Sequence, residues 1–219
     1  YRGGGHFSGR LTLGLVAAGV IAKKIIAPAT VEALLIEAGG SKEIEKAIDH
    51  AVEIKDSIGG IVECKVNGLP AGLGEPFFDS VEAVLSHMVF SIPAIRGIEF
   101  GTGFAAAKMR GSEHNDNFIS SDGKTETNHA AGINGGITNG NEVVFRVAVK
   151  PTSSTHQKQH TYNISSNQMV DLEIEGRHDT CIALRVPVVL EAATAIVLAD
   201  FFMLEQQTGR IAATDKYKQ

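Results

Sequence analysis

The sequence predicts an α+β fold in which buried helices lie between antiparallel sheets. Three observations predict it. Two stretches, Gly9 to Ile26 and Pro187 to Gly209, are apolar around almost the whole circumference of a helix, so each needs cover on every side. Runs with the β-branched, alternating look of strands, Ile61 to Val66 and Glu142 to Val149, follow other elements by short connections, which disfavours a Rossmann layering. With 219 residues, the chain can bury its own core, and 1–219 reads as a single domain.

The elements follow in order. Ser8 caps the first helix, in which Leu11, Leu13, Leu15, Val16, Val20 and Ile21 are joined by small Ala and Gly residues, and Pro28-Ala29 interrupts it. From Ser41 to Asp56 the pattern is amphipathic, with Ile44, Ala47, Ile48, Ala51 and Val52 on one face and Lys42, Glu45, Lys46 and Asp49 on the other. Gly59-Gly60 ends that helical region before the strand 61–66. Asp79 followed by Glu82 reads as a capping-box variant ahead of Val81, Val84, Leu85, Met88 and Val89, and Pro93 closes this helix. Further strands are expected at Gly97 to Phe100, Glu142 to Val149 and Met169 to Glu175, and Pro187 opens the last helix.

Composition narrows the function classes. With 43% hydrophobic and 21% charged residues the chain is globular, and a net charge of -5 leaves no footprint for nucleic acid. Cys64 and Cys181 are isolated, which suggests neither a disulfide framework nor a zinc ribbon and points to the reducing cytoplasm. Leu11 to Ala22 is too short to span a bilayer, and Glu191 and Asp200 interrupt the last apolar stretch, so no membrane span is expected. The excess is glycine, 24 of 219 residues, well above the ordinary ~7%.

Those glycines gather with hydroxyl and basic residues in three segments. Tyr1 to Arg10 is a glycine loop running into a helix, where free amides and Arg10 suit an anion; a tight packing turn needs the same glycines. Thr127 to Gly140, with the strand end Lys150-Pro151-Thr152-Ser153-Ser154, suits a phosphate, or is a hairpin followed by a solvated strand end. In Gly176-Arg177-His178-Asp179-Thr180, Arg177 can grip a phosphate or carboxylate and His178 and Asp179 can exchange protons, or the loop is a salt-bridged turn. His156 and His160 lack a third ligand, so no metal site is expected.

Seven landmarks in order carry a family resemblance: YRGGG-x-x-SGR at 1–10, GLPAGLGEP at 68–76, SIPA-x-x-G-x-E at 91–99, MRGSEHND at 109–116, GINGGITNG at 132–140, AVKPTSS at 148–154 and GRHDTC at 176–181. In these the chain resembles the chorismate synthase family. The resemblance implies a β-α-β sandwich, a cytoplasmic homotetramer, reduced FMN as cofactor and a link to NADP. It further implies 1,4-anti elimination of phosphate from 5-enolpyruvylshikimate 3-phosphate, giving chorismate in the shikimate pathway without net redox change.

Carried over by motif, the resemblance places His6, Phe7, Ser8, Pro93, Ala94, Gly135, Lys150, Pro151, Thr152, Ser153, Ser154 and Arg177 at the flavin. It also places Arg10 and Arg177 at the substrate and gives Asp179 a proton-transfer role. His6, Phe7 and Thr180 depart from the family's usual Arg, Ser and Pro. The family chain begins upstream of the GGG motif, where it carries two proton-donating histidines, and it is longer within 23–57. A noncatalytic flavin- or phosphate-binding module and an inactive oligomerising fragment are the alternatives.

Overall fold

Val143, Phe145, Val147 and Val149 are buried while Val144, Arg146 and Ala148 between them are only half-buried, the period-2 signature of a strand with one face in the core. The computed structural model describes residues 5–176 and 178–208. Its elements are α1 (Leu13–Ile25), β1 (Thr30–Ala38), α2 (Ile44–Glu53), β2 (Gly60–Asn67), α3 (Val81–Val89), β3 (Ile95–Phe100), α4 (Gly111–His114), β4 (Ile133–Asn134), β5 (Ile137–Thr138), β6 (Val143–Val149), β7 (Gln159–Asn163), β8 (Gln168–Leu172) and α5 (Val186–Thr208).

One sheet in the order β1-β2-β6-β3, antiparallel throughout, organises the rest. Its inner face presents Val31 and Ala33 beside Val62, Cys64 and Val66, then Phe145 and Val147. Onto that face α5 packs across β1 and β2, α3 packs against β3 and α5, and α1 lies against α5. The two remaining strand pairs, β4-β5 and β7-β8, are two-stranded hairpins. Burial pushes the Cys64 thiol up to about 12, and its neighbour is the Thr194 hydroxyl at 3.6 Å, so this cysteine acts as core filling.

The α+β class therefore holds, with particular differences. Thr30–Ala38 is a strand that the sequence pattern does not reveal, and β7 pairs with the expected strand near Met169. Ser80, not Asp79, caps α3: its Oγ accepts from the Ala83 amide at 3.1 Å. Ser8 caps a 3-10 turn, Gly9–Thr12, ahead of α1, since its Oγ accepts from the Arg10 amide at 3.3 Å.

The largest difference concerns α1. Its Gly19, Ala22 and following Ile26 are buried, but Leu13, Val20 and Ile21 are 75%, 57% and 64% exposed. Among the described residues α5 is what α1 packs against, so its far side has no cover. By length and composition, the stretch Ile182–Gln207 is apolar enough to cross a membrane, yet 61% of that window is buried inside the fold, as in a core helix.

Two local constraints give testable consequences. A Cβ added at Gly19 would lie 2.4 Å from the Ala192 Cβ, so the α1–α5 contact requires glycine there. Gly19→Ala gains roughly 1 kcal/mol of helix propensity and loses about 1–3 kcal/mol to overpacking, so a lowered urea midpoint is expected. An unchanged midpoint would show that the helices separate freely.

Asp116 organises the 110–130 loop by accepting from Thr127 Oγ1 (2.7 Å) and from the His129 and Ala130 amides (2.8 and 2.9 Å). Desolvation alone would raise its pKa; the three hydrogen bonds, with the nearby His129 charge, outweigh it and leave it lowered. A carboxylate with a depressed folded pKa stabilises above the ordinary aspartate range near ~3.9, and the contribution fades as pH falls through the folded value. Asp116→Asn should therefore cost about 1 kcal/mol at neutral pH, measured by chemical denaturation, with the gap to the parent closing below about pH 4.

Candidate active site

The N-terminal ends of α1 and α5 open onto one cleft of about 760 Å³, within the ~300–1,000 Å³ typical of small-molecule sites. Leu13, Val16, Ile92 and Val189 give it an apolar floor, and Ser8, Arg10, Asp179 and Arg185 give it polar groups. The Ser8-Gly9-Arg10 segment enters through the 3-10 turn that the Ser8 side chain caps. Pro93 reaches the cleft from the end of α3. Asp179 precedes the Ile182–Arg185 turn that leads into α5.

Backbone bonds fasten the phosphate-like segment to the same region. The Lys150 amide donates to the Ala94 carbonyl at 2.9 Å, and Ala94 adopts a φ of 76°. Ser57 Oγ donates to the Thr152 carbonyl at 2.6 Å, while the next residue, Ile58, donates its amide to the Thr180 carbonyl at 2.8 Å. Residues 57–58 thus strap the Lys150–Ser154 segment to the loop carrying Asp179. The His156 and His178 rings reinforce the join, edge to face with centroids 5.0 Å apart. Next to the strap, a Cβ on Gly59 would meet the Val149 carbonyl at 2.3 Å, which explains the glycine.

The charges in the cleft fall into two kinds. Arg185 Nη2 pairs with Asp179 Oδ1 at 2.6 Å. Among the described residues, no carboxylate pairs with Arg10. Thr152 Oγ1 is buried and, among the described residues, has no hydrogen-bond partner.

Of the residues singled out from sequence, the structure brings Ser8, Arg10, Pro93 and Asp179 onto one cleft and fastens Ala94, Lys150 and Thr152 to segments beside it, with Pro151 between the last two in the chain. Ser153 and Ser154 continue from that margin, the first exposed and the second half-buried. His6 is exposed in the Gly5–Phe7 turn, with Phe7 at its end. Arg177 lies outside the described residues. Gly135 is placed elsewhere: the carbonyl of its neighbour Gly136 accepts from the Val81 amide at 2.9 Å, at the start of α3, whereas Pro93 follows that helix's other end.

That separation is about 13 Å of helix, so the two do not meet within this chain. The amides of His129, Ala130 and Gly132 are engaged by Asp116 and Asn128, and the glycine-rich segment serves as a hairpin. Arg185 escaped the sequence reading, because a pair six residues apart across a 3-10 turn has no helical or strand spacing to announce it.

The sequence profile of the chorismate synthase family matches residues 1–203. The chain is 65% identical over 212 residues to the chorismate synthase of Chitinophaga pinensis, covering 96% of this chain and 64% of that protein. To the chorismate synthase of Korarchaeum cryptofilum it is 39% identical over 234 residues, with 93% and 65% covered. A solved chorismate synthase structure superposes with a TM-score of 0.74 at 26% identity, over 92% of this chain and 65% of that one. The chain thus spans just under two thirds of the length of these relatives. Family profile and relatives agree, and the chain belongs to the chorismate synthase family.

Proposed function

We propose that this chain forms part of an enzyme that eliminates phosphate from 5-enolpyruvylshikimate 3-phosphate to give chorismate, acting with reduced FMN. The observation that carries the reading is the convergence of Ser8, Arg10, Pro93 and Asp179, from three distant stretches of sequence, on one cleft floored by apolar side chains. A 1,4-elimination breaks the C–O bond to phosphate and removes a ring proton, so the site must hold anions and accept a proton while limiting water.

Arg10, free of any carboxylate partner among the described residues, supplies fixed positive charge for the substrate's anionic groups. Arg177 is assigned the same role by its motif. Asp179 takes part in proton transfer. The apolar floor lowers the local dielectric, which strengthens both.

The residues present fit a flavin phosphate: the buried Thr152 Oγ1, without a partner among the described residues, and the half-buried Lys150 lie on the strapped segment at the cleft margin, with Ser8 inside the cleft. Ser8, Pro93, Ala94 and Lys150 to Ser154 would hold FMN, with His6, Phe7 and Arg177 adjoining by motif. Gly135 would contribute from a neighbouring copy in a homotetramer. When bound, reduced FMN supplies electron density to the departing C–O bond. A cytoplasmic enzyme fits the unpaired cysteines.

The test uses the full-length protein under anaerobic conditions with reduced FMN and the enolpyruvyl phosphate substrate, monitoring phosphate release. Turnover is expected, with Asp179→Asn lowering kcat by roughly 10²–10⁴-fold and Arg10→Ala raising KM by about tenfold or more. FMN binding without phosphate release would replace this reading with a noncatalytic flavin module. Absence of both, with self-association, would replace it with an oligomerising fragment.

A further inference from the structure

We propose that Arg185 is a positioning residue for Asp179, fixing which carboxylate oxygen the substrate meets. The inference rests on the lyase reading above and assigns a role to a residue outside the motifs. Arg185 Nη2 lies 2.6 Å from Asp179 Oδ1, and both side chains line the cleft. Among the described residues Oδ2 has no partner, so one oxygen is held and the other is available for a proton.

Two features separate this role from substrate binding. Among the described residues that line the cleft, Arg10 and Arg185 are the cations, and Arg185 is the one paired with the acid, which leaves Arg10 for the incoming anion. The loop between the pair is itself fixed, because the Thr180 carbonyl accepts from the Ile58 amide and the Ile182–Arg185 turn feeds directly into α5. Arg185 therefore approaches Asp179 from a rigid base.

Stability is not the reason for the pair. Its side chains are 43% and 68% exposed, and ion pairs so exposed contribute little to folding. What the guanidinium supplies is orientation, and losing orientation lowers the rate of the chemical step rather than the affinity.

The experiment is a double-mutant cycle in the full-length enzyme, read by phosphate release. Arg185→Ala should lower kcat by about 10- to 100-fold while KM stays within about threefold and the melting temperature is unchanged. Arg185→Lys should recover part of the loss. In an Asp179→Asn background, Arg185→Ala should change kcat by less than about twofold, because two groups acting as a unit are not additive.

A raised KM at unchanged kcat, full multiplication of the two effects, or an Arg185→Ala enzyme as active as its parent would each overturn the inference alone. A parent that releases no phosphate would overturn the lyase reading and this inference with it.

Discussion

The approach of α1 to α5 at Gly19 is the constraint on which the cleft depends. With no Cβ at Gly19, the Ala192 side chain can nest against the α1 backbone, and the two helices lie close enough to bring their N-terminal ends side by side. Those ends carry Ser8-Gly9-Arg10 and Asp179 with Arg185, residues separated by about 170 positions in the chain. The same contact sets the N-terminal ends of both helices beside one space, where their dipoles favour an anion. Glu191 locks the geometry from behind, since its carboxylate accepts from Lys23 Nζ at 2.5 Å and from the Ala33 amide at 3.0 Å. One side chain thus joins α5 to α1 and to the outer strand of the sheet.

What the sequence shows of the fold follows from how strongly each element speaks locally. α5 and β6 are legible because burial around the one and alternation along the other are written into residue type. β1 is not, because Glu32, Ala33, Leu34, Leu35 and Glu37 are helix formers, and the strand is imposed by its pairing to β2 and by Glu191 satisfying the Ala33 amide. β7 stays silent for the opposite reason: Gln159 to Asn163 is exposed along its whole length, so no apolar face marks it. An all-round apolar helix such as α1 states only that it needs cover, and the described residues give that cover on one side.

The site divides in the same way. Ser8, Arg10 and Asp179 stand in short segments rich in glycine, hydroxyl or charged residues, Pro93 is marked only by the family motif, and the four share one cleft. Gly135 is ambiguous from sequence, because the glycine that lets a loop cradle an anion also lets a hairpin press against a helix. Its neighbour Gly136 shows the second use, with an added Cβ meeting Ser80 Cβ at 2.6 Å and the Glu75 carbonyl at 2.7 Å. Only coordinates separate the two uses.

Recognition of anions by an acidic chain is a matter of which cations remain unmatched. Arg146 is neutralised from two strands, by Glu63 at 2.8 Å and Glu99 at 3.5 Å, Lys23 by Glu191 at 2.5 Å, and Lys158 by Asp171 at 2.7 Å. Each pair cancels its own field within a few ångströms and contributes little at the cleft. Among the described residues no carboxylate cancels Arg10 in this way, and it stands where two helix N-termini meet an apolar floor. A net charge of -5 therefore coexists with a locally positive cleft, because the field a ligand feels at close range is set by neighbouring unpaired charge and not by the sum over the surface. Arg185 adds to that field only to the extent that Asp179 does not cancel it, which makes its contact with the acid a matter of geometry more than of charge.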